Sequence, residues 1–215
     1  MKKKAFAVLG LGKFGSSLAE TLEAQGAQVL AVDADEDAVS GIASKVTHAV
    51  RADVCDMEAL RSLGVSNMDG VVVAITGSLD ASVLATITAK ELGVPFILAK
   101  SSNEIHSKIL EKVGADRVII PEKESGRRMA YHLLAESFLD IIELSGTVSM
   151  VELSVKPEWV GRSLREMNFR QMANANVVAM KKGEDVVVNM DPDEPLTEDM
   201  ILWVTIHKKD MAKLM

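Results

Sequence analysis

Three glycines near the start of the chain have the spacing of a phosphate-binding loop, G-x-G-x-x-G. The loop consists of Gly10, Leu11, Gly12, Lys13, Phe14 and Gly15. In such loops the first glycine permits a tight turn, the second lets the backbone approach a phosphate, and the third lets the next helix pack closely. The N-terminus of that helix then offers N–H groups and a positive dipole end to the phosphates.

An acidic residue stands where a nucleotide site of this type needs one. Asp33 directly follows the second predicted strand, 18 residues after Gly15. A carboxylate there accepts hydrogen bonds from ribose hydroxyls and repels a 2′-phosphate, which disfavours NADP. The alternative is a glycine-rich turn in a purely structural α/β domain. Because turn, helix and acid all fall where the mechanism needs them, we favour a nucleotide-binding unit.

Further residues of the predicted site follow other strands. Asp53 either contacts an adenine or a ribose or caps the next helix, whereas Asp56 is favoured as a cap. Lys100 follows the fifth strand, at the edge of the sheet where ligands bind, and there it either neutralises phosphates or is solvated. The other residues assigned to the site are Ala34, Asp35, Val54, Ala74, Ile75 and Thr76.

Alternating strands and helices must position these residues. We predict six strands, at residues 5–9, 29–32, 49–52, 70–75, 95–99 and 117–120. Five helices are predicted between them, at residues 13–25, 35–45, 57–63, 81–92 and 103–113. This alternation predicts an α/β fold with a Rossmann-like, doubly wound parallel sheet.

The pattern changes after Pro121. Residues 122–144 predict one long helix with an apolar stripe. From residue 149 the apolar period shifts to two, and we predict strands at 150–155, 177–180, 185–188 and 201–206, with a short helical piece at 163–167. The chain is therefore divided into a nucleotide-binding domain (1–121), a crossover helix (122–145) and a smaller α+β domain (146–215).

Composition excludes several classes of protein. The net charge of −7 provides no basic surplus for general nucleic-acid binding. Cys55 is the only cysteine, so no intramolecular disulfide forms and a reducing cytoplasm is expected. Nothing near Cys55 in the sequence would activate it, and we interpret it as a bystander. No apolar run approaches the roughly 18–20 residues that cross a bilayer.

The sequence shows no catalytic motif. None of the four histidines, His48, His106, His132 and His207, lies in one, and His106 and His132 are interpreted as helix-surface residues. A dehydrogenase would need a second domain that presents substrate and a proton-transfer group. The residues therefore indicate an adenine-nucleotide sensor, in which ligand affinity differs between two conformations.

At the level of motifs, the chain resembles the regulatory subunits of Ktr/Trk-type potassium uptake systems, which are RCK (regulator of conductance of potassium) domain proteins. The matching segments are VLGLGKFGSSLA (8–19), AVDAD (31–35), THAV (47–50), DGVVVAI (69–75), LGVP (92–95), LEKVGADRVIIPEK (110–123) and VTIHKKD (204–210). The resemblance covers both predicted domains and the helix between them.

This resemblance implies a non-enzymatic subunit that binds ATP or ADP at the glycine loop, with NAD or NADH as ligands of some Trk-type relatives. It implies homodimers that assemble into an octameric ring beneath a potassium-translocating membrane subunit of the KtrB/TrkH type. The protein would then be cytoplasmic and peripheral at the inner face of the cell membrane. In the family an arginine of the loop reaches the terminal phosphate bound in the partner subunit; Lys13 stands at that position and lacks the bidentate fork.

Two further sites are implied by the resemblance. Glu122 corresponds to a glutamate that holds a divalent cation, Mg or Ca, near the phosphates; alternatively it is a helix-start acid favoured by the dipole. In several relatives the C-terminal domain binds cyclic di-AMP, and the corresponding region here, roughly 169–178 and 189–192, contains Arg170, Asn176 and Val177. A dimerisation domain without ligand is the other possibility. Competing functions are an NAD-dependent oxidoreductase and a regulatory domain of another cation transporter.

Overall fold

The computed structural model describes residues 3–134 and 137–215 of the chain. The chain folds into two units, Met1–Pro121 and Glu122–Met215. The first unit contains a parallel six-stranded sheet with the order β3-β2-β1-β4-β5-β6. Its strands are β1 (Ala5–Leu9), β2 (Gln28–Asp33), β3 (His48–Arg51), β4 (Gly70–Val73), β5 (Ile97–Lys100) and β6 (Arg117–Ile119). This arrangement confirms the predicted Rossmann-like sheet.

Five helices connect these strands, and four of them begin at a side chain that caps the helix. They are α1 (Lys13–Ala24), α2 (Glu36–Ile42), α3 (Met57–Ser62), α4 (Leu79–Glu91) and α5 (Glu104–Val113). Asp35, Asp56, Ser78 and Asn103 accept backbone N–H groups at the starts of α2 to α5. The cap favoured at Asp56 is confirmed, and each of these helices is held at its N-terminus without a ligand.

Alternate residues of the central strands pack into two separate apolar layers. On β1, Ala7 and Leu9 belong to one layer and Val8 to the other, and all three are fully buried. Strands buried on both faces carry continuous apolar runs, which is why the β4 segment Gly70–Val73 was recognisable from sequence. The buried sheet fixes the carboxyl ends of β1, β2, β4 and β5, where the predicted site residues lie.

The second unit is built on an antiparallel five-stranded sheet with the order β10-β9-β11-β8-β7. Its strands are β7 (Phe138–Glu143), β8 (Val148–Ser154), β9 (Ala175–Lys182), β10 (Asp185–Val187) and β11 (Ile201–His207), with helices α6 (Pro121–Leu134) and α7 (Phe169–Ala173). Its core includes Trp159 and Phe169, whose rings meet edge to face at 5.4 Å.

The helix predicted over residues 122–144 is wrong in its second half. Helix α6 ends at Leu134, residues 135–136 lie outside the described residues, and Phe138–Glu143 form β7, paired antiparallel with β8. Phe138, Ile141 and Ile142 satisfy a helical spacing, but Phe138 is buried and Ile141 packs on the same core from the strand. Tertiary pairing therefore overrides the local pattern. The short helix predicted at 163–167 is also wrong, and α7 follows it at Phe169.

The helices of the described ranges, 3–134 and 137–215, include none that is both long enough and apolar enough to cross a membrane.

His106 is buried, contrary to the interpretation as a helix-surface residue. Its Nε2 lies 2.8 Å from Ser82 Oγ, and Ser102 N donates to its Nδ1 at 3.4 Å. Ser82 donates its own proton to Leu79 O, so its oxygen accepts from the Nε2–H of a neutral ring. Burial lowers the pKa of His106 below its usual value. The residue is thus a structural connection between α4 and α5.

Acid should loosen the packing of α4 and α5 through His106. The unfolded state takes up a proton near pH 6.5, whereas the folded state resists protonation, so the stability that this residue contributes is complete above about pH 6.5 and declines as the pH falls below it. Hydrogen exchange of α5 amides, corrected for intrinsic rates, should therefore accelerate between about pH 7 and about pH 5.5. In H106Q this acceleration should shrink, whereas H48Q, at an exposed histidine, should behave as the unmodified protein does. Equal acceleration in H106Q would contradict the assignment.

Candidate functional site

The glycine loop is shaped by a very close approach between its two ends. Gly10 has φ +97°, in the left-handed region, and a Cβ there would lie 2.9 Å from Ile75 Cγ1. A Cβ on Gly15 would lie 1.9 Å from Gly10 O and 3.1 Å from Ala74 Cβ. Both positions therefore require glycine for the fold itself. They bring the start of α1 against the carboxyl ends of β1 and β4.

Gly12 differs from the other two glycines, because the folded chain does not require it. Its φ is −64°, which any residue adopts, and a Cβ there would meet no atom within 4 Å. The space above its Cα is open, at the N-cap of α1. A phosphate that approaches the backbone would use this space, and a methyl group would obstruct it. This is the structural observation that points most directly to a ligand at the loop.

The start of α1 is also electrostatically suited to an anion. With Gly12 as its N-cap it has no capping side chain, and its first turn contains no acidic residue but contains Lys13. Helices α2 to α5 each have a side-chain cap and an acidic residue in the first turn. The first N–H groups of a helix have no intrahelical acceptor, and a cation at this end is unfavourable for the dipole. A bound anion would resolve both features.

Asp33 lies beside the loop and holds it. Its Oδ2 accepts from Leu11 N at 2.6 Å and its Oδ1 from Asp35 N at 2.9 Å. Each carboxylate oxygen has a second lone-pair site, so these two bonds leave acceptor capacity for ribose hydroxyls. The predicted ribose acid is therefore also a structural part of the loop, a role that spacing alone did not reveal. It connects the ends of β1 and β2.

The end of β3 adjoins the end of β2. Ala52 N donates to Asp33 O at 3.0 Å, which places Asp53 and Val54 next in the chain at the same edge. Asp53 Oδ1 accepts from Cys55 N at 2.9 Å, so it stabilises a turn, and the helix cap is Asp56. Arg51, which was not among the predicted site residues, lies in register with Asp33, and its Nε donates to Ala34 O at 3.0 Å. Its position at a strand end was the available signal.

Cys55 is a poor nucleophile in this setting. Burial raises the pKa of its thiol, and the neighbouring Asp53 carboxylate raises it further through its charge and a hydrogen bond. A thiol of this kind is mostly protonated at neutral pH. This agrees with its interpretation as a bystander.

Lys100 is brought to the loop by β5. Its side chain is nine-tenths buried, so it is not a solvated surface lysine, and its Nζ lies 5.7 Å from the ring centroid of Phe14. Phe14 is in the first turn of α1, so this cation lies near the proposed phosphate position. Thr76 lines a cavity of about 230 Å³ together with Leu79 and His106.

Glu122, the predicted metal ligand, is exposed in the first turn of α6, within the second unit. Across residues 3–134 and 137–215, no three or more His, Cys, Asp or Glu side chains are grouped to hold a metal ion. A hard cation such as Mg²⁺ would then need ligands from elsewhere, and phosphate oxygens are its usual partners.

The second unit contains a cavity of about 470 Å³ in the region predicted for a cyclic dinucleotide. Its polar lining comes from Arg165, Asn168, Arg170 and Asn176, and its apolar lining from residues such as Phe169 and Val177. Helix α7 forms one wall between Asn168 and Asn174, whose φ values of 49° and 52° are left-handed. This conformation favours asparagine among non-glycine residues. The volume falls within the range of small-molecule sites.

The fold and the glycine loop define an α/β protein with a Rossmann-like unit and a smaller unit built on an antiparallel sheet. Residues 6–121 match the TrkA-N domain and residues 148–215 match the TrkA-C domain. The chain therefore belongs to the TrkA family, which confirms the predicted resemblance.

Relatives of known name support this assignment over the whole length. The chain is 38% identical to Ktr system potassium uptake protein C of Bacillus subtilis, with 98% of this chain and 96% of that protein covered. It is 40% identical to protein A of the same system and organism, with 99% and 96% covered. Among solved structures, the GsuK RCK domain has a TM-score of 0.67 at 20% identity; the match covers 99% of this chain but about half, 47%, of the other. That likeness shows a shared fold.

Two glycine substitutions should separate the structural and ligand-binding roles of the loop. G15A should lower the free energy of unfolding by about 3 kcal/mol or more, because the methyl group collides with Gly10 O. G12A should change it by less than about 1 kcal/mol, since its methyl group enters open space. Nonetheless G12A should weaken ATP or ADP binding by about tenfold or more, equivalent to about 1.4 kcal/mol.

Thermal unfolding without nucleotide and calorimetric titration with ATP and ADP provide the two measurements. G26A, after the end of α1, is a control for nucleotide affinity, because a Cβ there would meet no atom within 4 Å. It is not a control for stability, because the positive φ of Gly26 makes any other residue strained there. Unchanged nucleotide affinity in a folded G12A would refute the phosphate position.

Proposed function

We propose that this protein is the nucleotide-sensing, gating subunit of a potassium uptake system. It binds ATP or ADP at the glycine loop and controls potassium flux through a separate membrane subunit. The observation that carries the proposal is the open N-terminus of α1, with Gly12 at its cap and Lys13 in its first turn. Membership in the potassium uptake family supplies the transported ion.

The charges at the loop favour a polyphosphate. Lys13 and Lys100 provide two cations near the first turn of α1, while Asp33 faces the ribose position. A terminal phosphate, bound in the partner subunit as the resemblance implies, adds negative charge that would interact with Lys13 in ATP but not in ADP. A sensor requires such a differential interaction, because a ligand that binds two conformations equally shifts neither. NAD or NADH, with a bridging pyrophosphate, is the alternative ligand of the same pocket.

A divalent cation is part of this proposal. Glu122 begins α6 with an exposed carboxylate, and Mg²⁺ or Ca²⁺ would use it as an oxygen ligand.

Assembly is proposed through two apolar surfaces. Helix α6 has no buried residue over its length Pro121–Leu134, and Leu133 is 81% exposed. Helices α4 and α5 expose Leu79, Leu84 and Ile105. Exposed apolar patches mark interaction sites, and a ring built from dimers needs two different interfaces. We therefore propose a homodimer that forms an octameric ring, held at the inner face of the membrane by a partner of the KtrB/TrkH type.

The cavity of the second unit is proposed to bind cyclic di-AMP. Arg170 and Asn176 would contact a phosphodiester, and the apolar wall at Phe169 and Val177 would contact adenine. Arg170 is exposed and has no carboxylate within ion-pair distance among the described residues, so its guanidinium is available to an anion. This ligand would add a second input to the gate.

Nucleotide control of transport should depend on Lys13. In vesicles that contain this protein and a Ktr/Trk-type membrane subunit, potassium flux should differ between ATP and ADP. K13A should weaken ATP binding by about 1.5–3 kcal/mol and ADP binding by less, because a charge-assisted bond to the terminal phosphate is lost. The flux difference should shrink accordingly. K45A, which removes an exposed lysine paired with Glu20, should leave both measurements unchanged.

Two results would count against this scheme. If K13A lost equal affinity for ATP and for ADP, the proposed contact of Lys13 with the terminal phosphate would be wrong. Flux that is the same with ATP, with ADP and without nucleotide would remove the gating function itself.

Binding of cyclic di-AMP should require Arg170. R170A should lower its affinity by about 1.5–3 kcal/mol, the range for a hydrogen bond to a charged group. Calorimetric titration of the full chain provides the measurement, and R162A serves as a control because Arg162 is an exposed arginine of the same unit outside the cavity lining. If R162A and R170A lose equal affinity for cyclic di-AMP, the loss reflects net charge alone, and the assignment of the ligand to this cavity is wrong.

A further inference from the structure

The two arginines of the C-terminal cavity are in different electrostatic states. Arg170 has no carboxylate partner in the described part of the chain. The Nε of Arg165 donates to Asp193 Oδ1 at 2.6 Å. Asp193 raises the pKa of Arg165 through this bond and its charge. A ligand phosphate that enters the cavity therefore meets one available guanidinium and one that already holds an internal anion.

The Arg165–Asp193 pair is exposed and therefore exchangeable. The side chains of Arg165 and Asp193 are 65% and 60% exposed. Ion pairs in water contribute little to stability, and an external phosphate can replace the carboxylate at small cost. Phosphate also matches the guanidinium fork in the same bidentate manner as carboxylate does. The Asp193 carboxylate is therefore suited to compete with a ligand phosphate for Arg165, and the ion pair is not a rigid support of the cavity.

Other bonds hold the surrounding loop without this pair. Arg165 N donates to Pro192 O at 3.0 Å, and Asp193 N donates to Asp191 Oδ1 at 2.9 Å. Glu194 pairs with Lys182 on β9 through both carboxylate oxygens. Release of the Asp193 side chain would leave these three connections in place. A change of charge at residue 193 can therefore be made without dismantling the cavity wall.

We propose that Asp193 is an internal competitor of the ligand phosphate at Arg165, and that it sets the affinity and salt sensitivity of the cavity. Binding would exchange the Arg165–Asp193 bond for an Arg165–phosphate bond and free the Asp193 side chain. The idea depends on the proposed binding of a phosphodiester to this cavity. It adds a specificity-determining residue that lies outside the cavity lining.

If Asp193 competes with the ligand, D193N should raise the affinity for cyclic di-AMP. If Asp193 instead supports the cavity, D193N should lower that affinity. D193N retains an acceptor oxygen but removes the charge, so it should bind cyclic di-AMP about three- to tenfold more tightly than the unmodified chain. R165A should bind more weakly. In the R165A background, D193N should raise the affinity for cyclic di-AMP much less, because the guanidinium for which Asp193 and the phosphate compete is absent. D199N makes the same charge change outside the cavity lining and should have little effect.

Calorimetric titration of the full chain with cyclic di-AMP, at low and at moderate salt, distinguishes these cases. Tighter binding in D193N that is lost in R165A/D193N supports the inference. Weaker or unchanged binding in D193N overturns it, while the cavity assignment stands on the loss in R170A. Equal gains in D193N and D199N overturn it as well, since they indicate a general effect of charge. If cyclic di-AMP binds neither the unmodified chain nor D193N, both the proposed ligand of the cavity and the proposed role of Asp193 are wrong.

Discussion

The approach of Gly15 to the carbonyl oxygen of Gly10 is the constraint on which the nucleotide site depends. A Cβ at residue 15 would come within 1.9 Å of that oxygen, so no other residue permits α1 to start where it does. This approach sets the first turn of α1 beside the ends of β1 and β4. The Asp33 carboxylate then fixes the loop from the side of β2 through Leu11 N. The free end of α1 is therefore held in position by the fold before any ligand arrives, which is the preorganisation that favours anion binding.

Much of this arrangement could be predicted, because its determinants are local in sequence. The strand and helix alternation, the caps at Asp35 and Asp56 and the glycine spacing all depend on residues a few positions apart. The predictions were wrong where contacts between segments distant in the sequence determine the local structure. Phe138–Glu143 satisfy both helical and strand patterns, and pairing with β8 selects the strand. His106 is buried because Ser82, 24 residues away, receives its Nε2–H. Arg165 and Asp193 are 28 residues apart, and nothing in the spacing identifies them as a pair.

The two proposed anion sites use different physical means. At the glycine loop, backbone N–H groups and a helix dipole act together with Lys13 and the buried Lys100, all supported by a sheet buried on both faces. In the second unit, two exposed arginine side chains carry the charge, Arg165 before the short helix α7 and Arg170 within it. The first arrangement changes little on binding because its donors belong to fixed backbone. The second has side-chain partners that would exchange, so ligand binding there would redistribute ion pairs.

This difference bears on how a sensor of two ligands could work. A conformational equilibrium responds only to interactions that differ between its states. At a rigid loop the difference must come from the ligand, and the terminal phosphate that separates ATP from ADP would be a charge of that kind opposite Lys13. At the exchangeable cavity the difference can come from the protein, since Asp193 is bound to Arg165 and a ligand phosphate at Arg165 would release it. Nucleotide identity would thus be distinguished at the first unit, and the presence of a phosphodiester at the second, by separate charges within one chain.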